Sequence, residues 1–335
     1  MIFTPVRCPH QGCSSHRGQS FRWRRKGFFS RRCDARRVPR FLCLNCRHSF
    51  SSQTFRLDYR LRWPDLHYAL FDLLISKVTH RQAGRLLRCT RKTVHHRLRL
   101  LAEHSREFQH GMLERARARA GLLGSFQLDE LETFEHNRKL CPVTMPVLIE
   151  TRSYFVVTLA VASLPCRGRL SAFETERKLM RERLEGKRRS GSRRAVQTCF
   201  RYLEHFLSSR RNVVIATDRK TSYAAILREE LGARVIHARH PSRATRNYHN
   251  PLFPINHTLA MMRDGLSRLV RRNWGASKKQ SWLEWHAWVW VAYRNFVRSI
   301  TNEAKSTSSA MALGLVDRML DKYDLFTWRA GSQPE

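Results

Sequence analysis

Ser125-Phe126-Gln127-Leu128-Asp129-Glu130 and, 89 positions later at its acid, Val213-Val214-Ile215-Ala216-Thr217-Asp218 decide how this chain is read. Each is a short apolar run bounded by polar residues, so each predicts a strand, and each carries an acid at or near its end. Working outward, Val147–Glu150 and Tyr154–Val161 predict two more strands of a meander after the first. The charged stretch Lys178–Arg194 reads as an exposed insertion, with Lys187-Arg188-Arg189 and Arg193-Arg194 either solvated or in contact with phosphate. A helix over Ala195–Ser208, a helix over Ser222–Leu231 and a last strand over Ala233–His237 complete the run.

Three strands followed by helix, strand, helix and strand is the order of an RNase H-like α/β domain with a mixed five-stranded sheet. The first and fourth strands of that fold are neighbours, so Asp129 and Asp218 should meet at one end of the sheet. Two carboxylates brought together in a basic chain suit Mg²⁺ or Mn²⁺, which keeps waters and substrate phosphates as its other ligands. A third ligand should come from the next helix, read over Asn250–Arg263 and continuing through Leu266–Trp274. Asn256 lies 38 positions after Asp218. Arg263 is seven residues further, roughly 700° around a helix, and so shares the face of Asn256. Asn256 also reads as the N-cap of that helix after Pro254, a role that competes with metal binding. Asp264 is displaced by roughly 80°, a poor geometric substitute. Glu130, Glu132 and Glu135 read as solvated or supporting acids. Trp282, Trp285, Val289, Ala292 and Phe296 form a helical stripe that belongs in a core.

The first fifty residues are different. Five of nine cysteines fall there, and the uneven set argues against a secreted disulfide framework. Cys8-x4-Cys13 and Cys43-x2-Cys46 form two knuckles that suit a structural Zn²⁺, with Cys33 and His10 as spare ligands. The segment between them predicts the strands of a zinc ribbon with Phe21, Trp23, Phe28 and Phe29 as its small core. Next, Trp63-Pro64-Asp65 starts a helix, Thr79 caps a second, and Thr90 caps a third that runs to about Arg119. This is a helix-turn-helix layout. Arg81 and Gln82 of the second helix, and Arg91, Lys92, Thr93, His95 and His96 of the third, are its candidate DNA contacts.

The charge balance agrees. There are 63 basic and 27 acidic residues, a net +36, and 52 of the bases are arginine. Such an excess calls for a polyanionic partner, and nucleic acid leads. No apolar run is long enough to span a membrane, and Met1–Cys8 lacks a signal-peptide layout, so the expected location is cytoplasmic and nucleoid-associated. Asp129, Glu130, Glu132 and Glu135 stand out because they reverse this charge within seven residues.

In this order the motifs resemble those of bacterial insertion-sequence transposases with a zinc ribbon, a helix-turn-helix and an RNase H-like DDE domain. Leu128–His136, Ala216-Thr217-Asp218 and Pro251–Thr258 with Arg263 resemble the three catalytic segments of one branch. The resemblance covers roughly residues 8–315 and departs from the commonest pattern in having Asn256 where Glu is usual. It implies a multidomain α+β chain: zinc ribbon in 1–55, helix-turn-helix domain in 60–120, RNase H-like catalytic domain in 122–305 and a C-terminal tail in 306–335. It implies binding of double-stranded DNA at an element's terminal repeats, Mg-dependent strand cleavage and strand transfer into target DNA, and a homodimer or larger synaptic complex. Asp129, Asp218 and Asn256 would be the catalytic metal ligands, and Arg263 would clamp a phosphate. The alternative is a catalytically silent, transposase-derived DNA-binding protein; a nuclease or resolvase with the same core is a third reading.

Overall fold

The computed structural model describes residues 3–17, 21–208, 212–245, 247–270 and 275–329. The chain divides into two compact units, residues 1–70 with 320–335, and residues 71–319.

In the first unit, β1 (Trp23–Ser30), β2 (Arg37–Cys43) and β3 (Ser49–Ser51) form an antiparallel sheet in the order β1-β2-β3. Its core is sulfur and aromatic rings: Cys8, Cys13, Phe41, Cys43 and Phe50, with Phe3, Phe21, Trp23 and Phe55 packed around them. Phe28 and Phe29 do not join this core, contrary to expectation; they are 52% and 38% exposed. The β1–β2 register shifts between Arg25 and Phe28, around Gly27 at φ 75°, so the inward alternation is lost beyond Trp23. The Arg37 guanidinium covers the Phe28 ring instead, at 4.4 Å. The last described helix, Lys322–Thr327, belongs to this unit. Asp321 caps it, Tyr323 packs on Tyr68 at 4.7 Å, and Phe326 packs edge-on to His67 at 5.5 Å.

Helix α1 (Leu66–Ile75) spans the division between the units. In the second unit, α2 (His80–Leu86) starts with a capping box in which Thr79 and Gln82 bond reciprocally. α3 (Arg91–Arg119) starts at the Thr90 cap. Between them Arg88 takes a left-handed φ of 48°, and a Cβ on Gly84 would lie 3.0 Å from the Cys89 carbonyl oxygen, so glycine permits the tight turn. The far half of α3 packs on the sheet of the large unit. There Gln109 Nε2 donates to the Val156 and Val157 carbonyls at 3.1 and 2.9 Å, and Asn295 joins it through Gln109 Oε1 at 2.7 Å. These amides pair backbone groups that an edge strand leaves open.

That edge belongs to a mixed six-stranded sheet of β4 (Ser125–Phe134), β5 (Pro142–Glu150), β6 (Val156–Leu159), β7 (Ala162–Ser163), β8 (Val213–Asp218) and β9 (Val235–His240). The order is β6-β5-β4-β8-β9, with β7 also on β5. β4, β5 and β6 are antiparallel neighbours; β8 and β9 run parallel to β4. The first and fourth strands of the expected order are therefore adjacent. The sheet has six strands, not five, because β5 begins at Pro142 and leaves Val143 and Thr144 to pair with β7.

The stretch expected to be an exposed insertion holds a helix, α4 (Ala172–Glu185), and α5 begins early (Ser192–Phe206), taking in Arg193 and Arg194. α6 (Thr221–Leu231) joins β8 to β9. α7 (Phe253–Gly265) is shorter than expected and does not run on through Leu266. A Cβ at Gly265 would lie 2.6 Å from Trp290 Nε1, and Leu266 is already extended; residues 271–274 of the expected continuation lie outside the described residues. α8 (Gln280–Ala292) follows and leads into a π-turn over Tyr293–Val297. Val289, Ala292 and Phe296 are buried there, as their stripe predicts. Among the described residues no helix is long and apolar enough to cross a membrane.

Candidate functional site

The acidic site is built by strand register. β4 and β8 pair in parallel as Ser125 with Val214, Phe126 with Ile215 and Gln127 with Ala216. The offset is 214 − 125 = 89, and carried two residues past the last pair it sets Asp129 opposite Asp218. Both carboxylates are half-buried, at the end of the sheet where β8 stops. Asp129 Oδ1 accepts the Glu130 N–H at 2.7 Å, and Asp218 Oδ1 accepts the Lys220 N–H at 3.0 Å.

Glu130 points to the opposite face from Asp129, as strand alternation requires. It is not solvated: its side chain is 9% exposed. Thr144 and Ser192 hydroxyls each donate to Oε2 at 2.7 Å, the Tyr223 hydroxyl donates to Oε1 at 2.9 Å, and the Lys220 ammonium also bonds Oε1. Burial works to raise the Glu130 pKa. The bonds from Lys220, Thr144 and Ser192, with the Lys220 charge, outweigh it and hold the carboxyl below its ordinary value. Tyr223 is pushed far above the phenol range by burial first, then by the charges of Glu130, Asp129 and Asp218. Three carboxylates on two strands thus bear on one phenol. Lys220 links them physically, through its main chain to Asp218 and its side chain to Glu130. The other acids are engaged elsewhere: Glu132 pairs with Arg167 at 2.5 Å and Glu135 with Arg188 at 3.0 Å.

α7 is fastened to β4 by Gln127, two residues before Asp129 on the same face. Its amide donates to the Pro251 carbonyl at 2.8 Å, and its oxygen accepts the Ile255 N–H at 3.0 Å. That N–H is one of those a helix start leaves without an intrahelical acceptor. Asn256 is the next residue. It is not the N-cap: the cap position is Leu252, and the Asn256 N–H already bonds the Leu252 carbonyl at 3.0 Å. The local Asx turn is made by Asn250, whose Oδ1 accepts from Leu252 N at 2.8 Å. Asn256 and Arg263 are half-buried on one unbroken helix, at the spacing that gives them a common face. Asp264 is 88% exposed and pairs with Lys77 at 3.3 Å. The sequence signals Gln127 and Lys220 only weakly, as an amide in an apolar strand and a base two residues after Asp218.

The sulfur site is complete in itself. The Sγ atoms of Cys8, Cys13, Cys43 and Cys46 all lie within 4.8 Å of one another, with Cys8 to Cys46 at 3.6 Å and Cys13 to Cys43 at 3.9 Å. Four thiolates at about 2.3 Å from a tetrahedral Zn²⁺ stand about 3.8 Å apart, so the donors fit zinc. Cys33 is exposed and outside the cluster. His10 gathers with His48 beside Cys46, the two rings stacked at 4.1 Å, and replaces none of the four.

The candidate DNA contacts divide. Arg81, Arg91, Lys92 and His96 are exposed. Gln82 and Thr93 are exposed or half-buried and serve the caps of α2 and α3. His95 does not point outward with its neighbours: its ring packs on Trp282 at 4.4 Å and His80 at 4.9 Å. A helical wheel cannot foresee this, because Trp282 arrives from α8.

Neither a protein-family model nor a curated protein matches the chain. Among solved structures it is similar to the catalytic domain of Mos1 mariner transposase, at 16% identity and TM-score 0.22 over 58% of this chain and 90% of that one. It is also similar to the Mos1 mariner paired-end complex with Mn (14%, TM-score 0.23, 64% and 70%) and to the Mos1 transposase paired-end complex with left transposon end (15%, 0.24, 67% and 73%). At TM-scores this low the geometry of the site stands alone.

Proposed function

We propose that this chain is a DNA transposase of the insertion-sequence DDE kind, and that Asp129, Asp218 and Asn256 form its catalytic centre. The observation that carries this is the parallel β4–β8 register, which, continued two residues past its last pair, brings Asp129 and Asp218 to the same end of the sheet in a chain of net +36. The donors are hard oxygens, the chemistry Mg²⁺ or Mn²⁺ prefers. When bound there, such an ion supplies activation of a water or 3′-hydroxyl and stabilisation of the leaving oxygen. Asp129 and Asp218 would hold it. Asn256 would add a neutral amide oxygen, which cannot act as a general base. Arg263, two turns on, would hold a phosphate beside the scissile bond. The four-cysteine sheet with structural zinc, and the exposed Arg81, Arg91, Lys92 and His96, would bind terminal-repeat DNA in a two-copy or larger complex acting in the nucleoid.

The test is metal-dependent nicking and strand transfer on terminal-repeat DNA. Asp129→Ala and Asp218→Ala should abolish both with DNA binding retained. Arg91→Ala and Lys92→Ala should each reduce the salt slope of binding by about one phosphate contact.

A second reading is a silent DNA-binding protein, because the third position holds Asn256, a neutral amide, where the resembled pattern usually has Glu. Asn256→Glu separates the readings. A gain of activity marks a decayed site, and a loss marks Asn256 as the native ligand.

A further inference from the structure

α4 is an amphipathic helix turned inside out. At roughly 100° per residue, Phe173, Arg177, Met180 and Leu184 fall within about 60° of arc. Phe173, Met180 and Leu184 are 65%, 59% and 81% exposed, and the Arg177 guanidinium lies 5.5 Å from the Phe173 ring centroid on the same stripe. The less exposed residues are all polar: Glu174, Lys178, Arg181 and Glu182. They occupy the arc from about 80° to about 180°. That polar face holds the helix to the domain, through Lys139 to Glu174 at 2.7 Å and Arg181 to the Cys141 sulfur. The helix is well formed, with a Ser171–Glu174 capping box and Gly186 after its end at φ 80°. Its outward apolar stripe is therefore built and held in place, and it stands exposed among the described residues.

We propose that this stripe pairs with the same stripe of a second copy of this chain, as an antiparallel helix pair about a two-fold axis. Charge selects that occupant. α4 carries four acids (Glu174, Glu176, Glu182, Glu185) and four bases (Arg177, Lys178, Arg181, Arg183), a net charge of zero in a chain of +36. DNA gains little from such a surface, whereas two highly positive copies can approach there with less repulsion than the net charge implies. The pattern is also self-complementary. Glu176 and Arg183 are seven residues apart and flank the stripe on one side, so an antiparallel two-fold sets Glu176 against the partner's Arg183, and Arg183 against the partner's Glu176. Phe173 then comes within a turn of the partner's Leu184. Such a contact is isologous, with each residue used twice. A single helix pair covers less than the roughly 1,000 Å² of a stable interface, so the pairing is weak in free solution and is strengthened when DNA tethers two copies.

The test is sedimentation or light scattering of the zinc-loaded full chain at about 1–100 µM, a range that brackets weak association. It reads oligomeric state and no catalysis, so its failure is distinct from failure of the transposase reading. Concentration-dependent dimers are expected. Leu184→Glu, at a solvent-exposed position that should leave folding unaffected, should weaken them at least about tenfold. Glu176→Arg and Arg183→Glu should each weaken them, and the double swap should restore them. A wild type that stays monomeric, a dimer indifferent to Leu184→Glu, or a double swap without rescue overturns the proposal. So does a Leu184→Glu chain that loses DNA affinity with its self-association unchanged, since the stripe would then meet DNA.

Discussion

Gln127 on β4 caps α7 from outside the helix, by accepting the Ile255 N–H at 3.0 Å while donating to the Pro251 carbonyl at 2.8 Å. Both ends of one amide are spent on the start of the helix that carries Asn256. Gln127→Met keeps the volume and removes both bonds, which leaves the buried Ile255 N–H without a partner and the Pro251 carbonyl to partly exposed surroundings. The expected cost is about 2 kcal/mol, read as a fall of roughly 4–8 °C in Tm. Metal-dependent strand cleavage should fall by more than DNA binding does, since α7 loses its tie to β4. A variant with unchanged Tm and unchanged cleavage would show that Gln127 does not position α7.

That clamp shows where the sequence was legible. Asp129 and Asp218 could be paired from a single chain because strand ends and strand order are local patterns. Asn256 and Arg263 could be placed on one face because helical spacing is local too. Gln127, Lys220 and the burial of Glu130 could not be read, because their roles depend on which side chains arrive from α5, α6 and α7. Helical spacing alone turns His95 outward, whereas Trp282 from α8 packs against its ring. Hydrophobicity alone places Phe28 and Phe29 in a core that the register shift at Gly27 puts out of reach. The long α3 looked like a self-contained helical unit, yet Gln109 commits its far half to the edge of the sheet.

The Lys220–Glu130 pair predicts an asymmetry. Glu130→Gln keeps a polar group for Thr144, Ser192 and Tyr223 and leaves Lys220, which is 40% exposed, to reach water. Lys220→Met strands a buried carboxylate among three hydroxyls. The lysine substitution should therefore destabilise more, and unfolding in urea should show it. In the lysine variant the Glu130 carboxyl should also protonate at higher pH than in the parent. Glu130 sits below its ordinary value when folded, so its contribution is present above about pH 4.5 and lost as pH falls through the folded value. Lys220→Met should move that acid loss upward. Equal losses in the two variants would contradict the assignment of Lys220 as the compensating charge.

The sulfur cluster predicts one zinc per chain, measurable by elemental analysis. Cys8, Cys13 and Cys43 are buried and surround the only small core of their sheet that is described, so the metal would carry much of its folding energy, on the order of 10 kcal/mol. Chelation, or Cys43→Ser, should unfold residues 3–55 and abolish their share of DNA affinity. The mixed sheet of the other unit should keep its thermal transition. Cys33→Ser should change neither zinc content nor binding, because Cys33 lies outside the cluster.

His286 predicts that the large unit loses stability in acid. It is fully buried, with Nε2 2.8 Å from the Leu74 carbonyl oxygen, which its N–H can reach. Burial first, then the nearby Arg268 charge, lowers its pKa to about 3. The unfolded chain takes this proton near its ordinary value of 6.5, so between those values the unfolded state binds more protons. The stability is present in full above about pH 6.5 and drains away as pH falls toward 3. One such histidine removes about 1.4 kcal/mol between about pH 7.5 and about pH 5.5. His80, also depressed by burial and by Arg268, acts in the same direction. His286→Gln can donate an amide N–H to the same carbonyl but cannot titrate. Urea unfolding at the two pH values should therefore show a smaller loss in the glutamine variant, by about that amount. An identical loss in both proteins would place the acid sensitivity elsewhere.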